Sequence, residues 1–307
     1  MKKFISQIII YVCAFIVLLF IFDFSTSSII DSNATFVLED NPKYIVIGHS
    51  HPECAFNDSL IDNFKNLGES VEAYFYTYFK VKKVLEQNPY IETVFIDYST
   101  NQLVEEANLR IWNEKYIINR YVKLSPFMTI PEKKILAKNN FTSFFKSGAY
   151  IAQNRITEIA TNNYNYTEKV GGYRNLSVSK IDSLLKTDYK SLENKYETSK
   201  VNIRYLEKTI ELCQNYNKEV VLIRCPVHRV YSLNENDSLL HHIQDSLFKE
   251  IPFFDFSNFP LLDNEFADFG HLNYKGAKKF SVWFNTFIKE GNINKNSISI
   301  LQSGILY

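Results

Sequence analysis

The 307 residues are 46% hydrophobic and include 25 Phe and 20 Tyr, enough apolar volume for a packed core, which excludes a chain disordered throughout. Lys plus Arg and Asp plus Glu balance at 34 each, so no global field recruits nucleic acid, and no basic stripe with interleaved aromatics occurs. None of the four cysteines stands in a Cys-x-x-Cys pair, which argues against a structural zinc site.

The chain opens on Met1-Lys2-Lys3, followed by an uncharged stretch from Phe4 to Phe22 that ends at Asp23. Nineteen helical residues rise about 28 Å, close to the hydrocarbon thickness of a bilayer. The expectation is a transmembrane anchor over residues 1–22. Lys2 and Lys3 place its start on the cytoplasmic side and the main domain on the extracytoplasmic side, periplasmic or extracellular. A cleaved signal peptide is the rival, with the Ser-rich run Ser25 to Ser28 as its only cleavage context. Cys13 lies mid-span. If the remainder is exported, Cys54, Cys213 and Cys225 allow at most one internal disulfide, and the spacing does not say which.

Residues 23–42 read as a polar linker ending in Asn41-Pro42. A domain follows over 43–290, and a peripheral tail over 291–307. The run Tyr44-Ile45-Val46-Ile47, stopped by Gly48, has the continuous apolar character of a parallel strand buried on both faces. A helix is expected over Asp58 to Asn66, a second strand over Val71 to Phe75, a helix over Tyr78 to Gln87, and a third strand over Thr93 to Ile96, ended by Asp97. From about 102 to 195 the pattern changes to helix-like stretches such as Asn108 to Tyr121, with a turn signal at Gly171-Gly172. A mostly helical insertion is expected there, because a structureless loop of that length is improbable in a compact domain. The alternation resumes with a helix over Ser199 to Tyr216, a strand over Glu219 to Ile223, a helix near Leu239 to Phe248, a short strand at Phe253-Phe254, and a helix over Lys275 to Lys289.

Strands alternating with helices imply an α/β three-layer sandwich on a parallel sheet of about five strands. Ligands bind outside the carboxyl ends of such strands. That rule gathers Gly48 to His51, Tyr98 to Asn101, Arg224 to His228 and Asp255 to Ser257 on one rim.

Two rim segments carry chemistry. In Gly48-His49-Ser50-His51, a serine on the turn after the first strand is presented as a nucleophile must be, with its own N–H beside the developing oxyanion. In Asp268-Phe269-Gly270-His271, a carboxylate three residues before a histidine can fix the imidazole tautomer and leave the other nitrogen to take a serine proton. The bland alternatives are a serine that caps the next helix and an aspartate that caps a turn. His49, His51 and Glu53 are ligand types crowded on one turn with no evident distant partner, so no metal and no cofactor is expected. Cys54 reads as a small buried hydrophobe. Arg224 and His228, after the fourth strand, are candidates for binding an anionic or polyhydroxylated substrate.

These two segments resemble the first and last blocks of the SGNH/GDSL hydrolase superfamily. The family's Gly-Asp-Ser is here Gly48-His49-Ser50. Its Asp-x-x-His is Asp268-Phe269-Gly270-His271, continued as Leu272-Asn273-Tyr274-Lys275-Gly276. The resemblance is greatest to membrane-anchored bacterial members with a Gly-x-Ser-His start, including exported acyl-transfer proteins of envelope polysaccharide pathways. It covers roughly residues 43–100 and 200–290. It implies Ser50 as nucleophile, His271 as base and Asp268 as orienter, with Gly68 and Asn101 as oxyanion donors. Where the family carries Gly-x-Asn-Asp, this chain has Tyr98-Ser99-Thr100-Asn101-Gln102. The implied activity is ester hydrolysis or O-acyl transfer on an acylated glycan or other ester, with membrane-bound acyl-transfer proteins as partners. A catalytically inactive binding or assembly partner on the same fold is the alternative.

Overall fold

The computed structural model describes residues 1–178, 197–232 and 237–292. The end of the expected insertion, 179–196, and the tail from 293 lie outside the described residues. The chain divides into two compact units, residues 1–35 with 112–166, and residues 36–111 with 167–307.

The second unit is built on five parallel strands, β1 (Tyr44–Ile47), β2 (Phe64–Asn66), β3 (Thr93–Asp97), β4 (Glu219–Arg224) and β5 (Phe253–Asp255), in the order β2-β1-β3-β4-β5. The registers run Ile47 beside Ile96, Asp97 beside Ile223 and Arg224 beside Asp255, so the carboxyl ends of β1, β3, β4 and β5 share one rim. The order reverses between β1 and β3. A crevice opens at such a switch point in a doubly wound sheet.

Helices cover both faces, as the α/β expectation requires. On one face α3 (Tyr74–Gln87) packs against α6 (Lys200–Asn215), with Phe75 and Tyr205 ring to ring at 4.7 Å. On the other face, α2 (Ser50–Ala55) and α8 (Tyr274–Lys289) enclose Val46, Phe95, Val221, Ile223 and Phe254 with Phe56, Phe280, Phe284 and Phe287. The strand residues in that cluster alternate along the chain, as a pleated sheet dictates. A further helix, α7 (Asp237–Leu247), follows β4.

Two expected elements differ. The helix over Asp58 to Asn66 is a single 3-10 turn, Asp58–Leu60. Asn63 then adopts φ +56°, a left-handed conformation that ends a helix, and the chain enters β2. The expected strand Val71 to Phe75 is the lead into α3. Val71 is also left-handed, at φ +63°, and Tyr74, Phe75 and Tyr76 are buried on the helix. A three-residue edge strand reading Phe-Lys-Asn has too little apolar pattern to announce itself.

The first unit is helical. α1 (Lys2–Asn33) carries an apolar stretch of mean hydropathy 2.8, none of it buried, and is long and apolar enough to cross a membrane. Residues 23–33 continue the same helix, so the expected linker is helical over its first half. After it, Phe36 and Leu38 are buried in the second unit. The insertion supplies the rest of the first unit. Short helical pieces over residues 114–127 precede α4 (Ile130–Asn139) and α5 (Phe141–Thr161). The expected helix Asn108 to Tyr121 is broken into several such pieces. Arg155 is fully buried at the unit's centre. Its guanidinium donates to Asp23 Oδ1 (2.8 Å), Thr26 Oγ1 (3.0 Å) and Ser125 Oγ (3.0 Å).

Candidate active site

The site lies wholly within the second unit. β1 ends at Gly48, whose φ of +145° suits only glycine; a Cβ there would stand 2.4 Å from Asp97 Cβ. That close passage lets the turn after β1 cross the end of β3. α2 begins at Ser50, with His49 as N-cap accepting from the His51 N–H.

Ser50 Oγ lies 2.7 Å from His271 Nε2. His271 Nδ1 lies 2.8 and 2.9 Å from the two Asp268 oxygens. With Nδ1–H donating to the carboxylate, Nε2 presents a lone pair to the serine hydroxyl, the arrangement a general base requires. Burial alone would push the Asp268 carboxyl up. The His271 ring bond and charge, with the Gly270 and His271 N–H groups, outweigh it and hold the carboxyl below its usual value. The loop bearing both residues is fastened to the fold. His228 N–H donates to Phe269 O (2.9 Å), Ala267 N–H to His271 O (2.9 Å), and Asn273 caps α8 through the Lys275 and Gly276 N–H groups.

The expected oxyanion donors fare differently. Among the described residues, nothing accepts from the Ser50 N–H. The Gly68 N–H is engaged, donating to Asn66 Oδ1 at 2.8 Å, which corrects the expectation that it is available to substrate. Gly68 serves close packing instead: a Cβ there would meet Glu53 N at 2.6 Å. Its carbonyl receives the Gly172 N–H (3.0 Å), and Arg174 N–H donates to Glu53 O (2.7 Å). The Gly171-Gly172 segment thus lies against α2 and the Gly68 turn, with Gly171 at φ +101° to make the approach. Beneath the turn, buried Lys80 donates to Leu67 O (2.7 Å) and pairs with buried Glu72 at 2.7 Å.

Asn101 does reach the site. Its Oδ1 lies 2.9 Å from His49 Nε2, and its Nδ2 donates to Tyr231 Oη at 2.8 Å, leaving one amide hydrogen uncommitted by that bond. His49 therefore bridges the nucleophile turn to the segment after β3. Its Nδ1 accepts from a backbone N–H, so Nε2 carries the proton and faces Asn101, Ser99 (3.1 Å) and Asp97 (3.3 Å). Burial, aided by the Arg110 cation, drives the His49 pKa well down. Burial with His49 and His271 does the same for His51, so both rings are neutral. His51 packs edge-on to His49, Tyr231 and His271, with centroids 4.3 to 5.6 Å apart, and its Nδ1 is buried without a partner.

The ligand-type atoms of His49, His51 and Asp97 lie within 4.8 Å of one another. A cation bound through one His49 nitrogen would displace the bond that nitrogen already makes, to the His51 N–H at Nδ1 or to Asn101 and Ser99 at Nε2. His51 Nδ1, by contrast, makes no hydrogen bond among the described residues, and Asp97 is the distant carboxylate that the spacing of His49, His51 and Glu53 did not reveal.

Arg224 and His228 are not substrate ligands in this arrangement. Arg224 is 1% exposed and pairs with Asp255 (3.0 Å) and Asp237 (2.8 Å). His228 is equally buried, lies 3.2 Å from Asp263 Oδ1, and packs on Phe266 and Phe269. Both hold together the loops behind the triad. Cys54 is buried on α2 with its thiol pushed up to about 12 by burial, which makes it inert, and all four cysteines are free thiols. Sequence reasoning missed Tyr231, for which no signal exists, and Asp97. The position of Asp97 at the carboxyl end of a buried strand was the clue.

A family model to which no function is attached matches residues 183–292. That segment includes Asp268 and His271 but not Ser50. No curated protein matches the chain.

Proposed function

We propose that this chain is an SGNH-type serine ester hydrolase or O-acyltransferase. The observation that carries the reading is the unbroken series Ser50 Oγ, His271 Nε2, His271 Nδ1 and Asp268, at 2.7 to 2.9 Å. Ser50 Oγ attacks an ester carbonyl while its proton passes to His271 Nε2. The negative oxygen of the tetrahedral intermediate is met by the Ser50 N–H and the second Asn101 amide hydrogen. The ester C–O bond then breaks, and His271 returns the proton to the departing alkoxide. A water or a sugar hydroxyl, deprotonated by His271, attacks the acyl-enzyme carbonyl; the bond from the acyl carbon to Ser50 Oγ breaks, and His271 returns the proton to Ser50 Oγ. General base and oxyanion contributions of this kind are each worth about 3 to 5 kcal/mol of barrier.

α1 adds the cellular setting. As a single-pass anchor with the main domain on the extracytoplasmic side, it tethers the triad near envelope glycans, which favours acylated polysaccharide as substrate and membrane-bound acyl-transfer proteins as partners. A fluorophosphonate probe tests the reading. It should label Ser50 in the wild type and fail to label Ser50→Ala or His271→Ala, and both variants should lose turnover of an activated acetyl ester. Wild-type-like turnover in the two variants would sink the enzyme reading.

One observation favours a second reading, a non-catalytic binder on the same scaffold. The Gly68 N–H is bonded to Asn66, which leaves the oxyanion a donor short. On this reading Ser50 resists the probe in the folded wild-type chain.

A further inference from the structure

α5 has three faces. Its buried face is Ser143, Ser147, Ile151, Arg155 and Glu158. At 100° per residue, Phe141, Phe145, Gly148, Ala149, Ala152 and Ile156 fall within an arc of roughly 100° on a different side. That side is open. Phe141 is 68%, Phe145 74% and Ile156 55% exposed, and nothing stands within 4 Å of where a Gly148 Cβ would be. Thr142, Lys146, Gln153 and Thr157 form the third face, polar and exposed. An amphipathic helix normally turns its apolar stripe inward. Here a second apolar stripe, bearing two phenylalanines, has no protein over it among the described residues.

The direction of α5 indicates what covers it. Arg155 meets Asp23 and Thr26 of α1. Ten residues later the two chains meet again: Thr35 N–H donates to Tyr164 O, Tyr166 N–H donates to Thr35 O, and Thr35 pairs with Asn165 in parallel. α1 and α5 therefore advance in the same sense. The part of α5 before Arg155 runs back on the side of the apolar stretch of α1, with Phe145 about 15 Å and Phe141 about 21 Å from Arg155 along the helix. Asp23, the first charge after that stretch, is held by Arg155 and by Lys133 (2.7 Å). Residues 112–166 carry eight Lys and Arg against three Glu, a net charge of +5 in a neutral chain. Aromatic and basic residues together suit an interface rich in anionic lipid.

We infer that the Phe141–Ile156 stripe of α5 lies in the surface of the same bilayer that α1 enters, so that the insertion is a membrane-seated collar around the anchor. This rests on the anchor reading of α1. The test uses the full chain in vesicles of phosphatidylcholine and phosphatidylglycerol, with an environment-sensitive NBD fluorophore on one cysteine at a time. Native Cys13 reports on α1. Phe145→Cys, Ile156→Cys and Gln153→Cys, each in a Cys13→Ser background where the remaining thiols, Cys54, Cys213 and Cys225, are buried from the reagent, report on α5. Probes at Phe145 and Ile156 should emit to the blue of the Gln153 probe and lose quenching by aqueous iodide. A lipid-buried Cys13 probe with aqueous Phe145 and Ile156 probes overturns the collar and leaves the anchor standing. Aqueous probes at all positions, Cys13 included, overturn both. Probes at Phe145 that are protected only in native membranes, and not in lipid vesicles, indicate a protein occupant and overturn the assignment to lipid.

Discussion

Two segments of the same rim carry the polar residues that a sequence reader would choose, and they have opposite fates. Ser50, Asp268 and His271 converge from two distant loops, and their side chains remain partly open, with His271 26% and Asp268 50% exposed. Arg224 and His228 lie at the end of β4, and each is closed into an ion pair or ring stack with 1% exposure. Position at the carboxyl end of a parallel strand is therefore not enough to make a ligand. What separates the two groups is whether each residue's own fold already satisfies it. Asp255 and Asp237 absorb the Arg224 charge, whereas among the described residues only the serine hydroxyl meets His271 Nε2.

Substitutions should separate these groups by what they change. Ser50→Ala and His271→Ala should each lower kcat for an activated acetyl ester by up to about 10⁶-fold, with Asp268→Asn costing about 10⁴-fold, because members of a triad act as a unit. Unfolding midpoints should stay within a few degrees of wild type, as measured by circular dichroism. A loss of similar size in a midpoint would mean that these residues hold the fold rather than the chemistry. Arg224→Ala should do the reverse. It removes one side of a buried ion pair and should cost about 3 kcal/mol, the low end for such a break because both carboxylates still reach water. Per folded molecule, turnover should fall far less than in the triad variants. Denaturation coupled to active-site titration reads both quantities, and an Arg224→Ala protein of full stability that cannot turn over would restore Arg224 as a substrate ligand. Behind both groups stands α8. Phe284→Ala opens a cavity in the Phe56, Phe95, Phe280 and Phe287 cluster and should cost about 3 to 5 kcal/mol without altering the triad.

The sheet and the convergence of Ser50, Asp268 and His271 were legible because each leaves a strong local signal. Tyr44–Ile47 and Val220–Ile223 are unbroken apolar runs, and Asp268-x-x-His271 places two side chains on one turn whatever surrounds it. β2 and the start of α3 were not legible. The left-handed residues that redirect the chain, Asn63 and Val71, include a β-branched one that no turn rule would nominate. Donor availability was also hidden. Gly68 sits in the right loop, yet its N–H belongs to Asn66, a pairing fixed by side-chain rotamer rather than by spacing. The depth of Arg224 and His228 was equally invisible, because it depends on carboxylates contributed by segments 13 to 35 residues away.

The smallest of the expected effects bears on His49 and His51, which belong to the open site by position and to the closed interior by burial. Both rings are held neutral, with pKa values well below the ordinary 6.5. As pH falls below about 6.5, the unfolded chain takes up two protons that the folded one refuses. The stability these rings contribute is therefore complete above that value and is lost on acidification. Each should add about 1.4 kcal/mol per pH unit to the slope below 6.5. His51→Gln removes one of the two titrating groups and leaves the His49 bonds to Asp97, Ser99 and Asn101 in place. It should therefore reduce the acid-side slope by about 1.4 kcal/mol per pH unit in urea titrations of the detergent-solubilised chain, with little change between pH 7 and 8. An unaltered slope would mean that His51 takes up its proton in the folded state, where its charge would oppose the transfer of the Ser50 proton to His271. A loss of activity between pH 6.5 and 5.5 that His51→Gln abolishes would then follow, so the stability slope and the activity profile together decide whether this imidazole is packing or part of the chemistry.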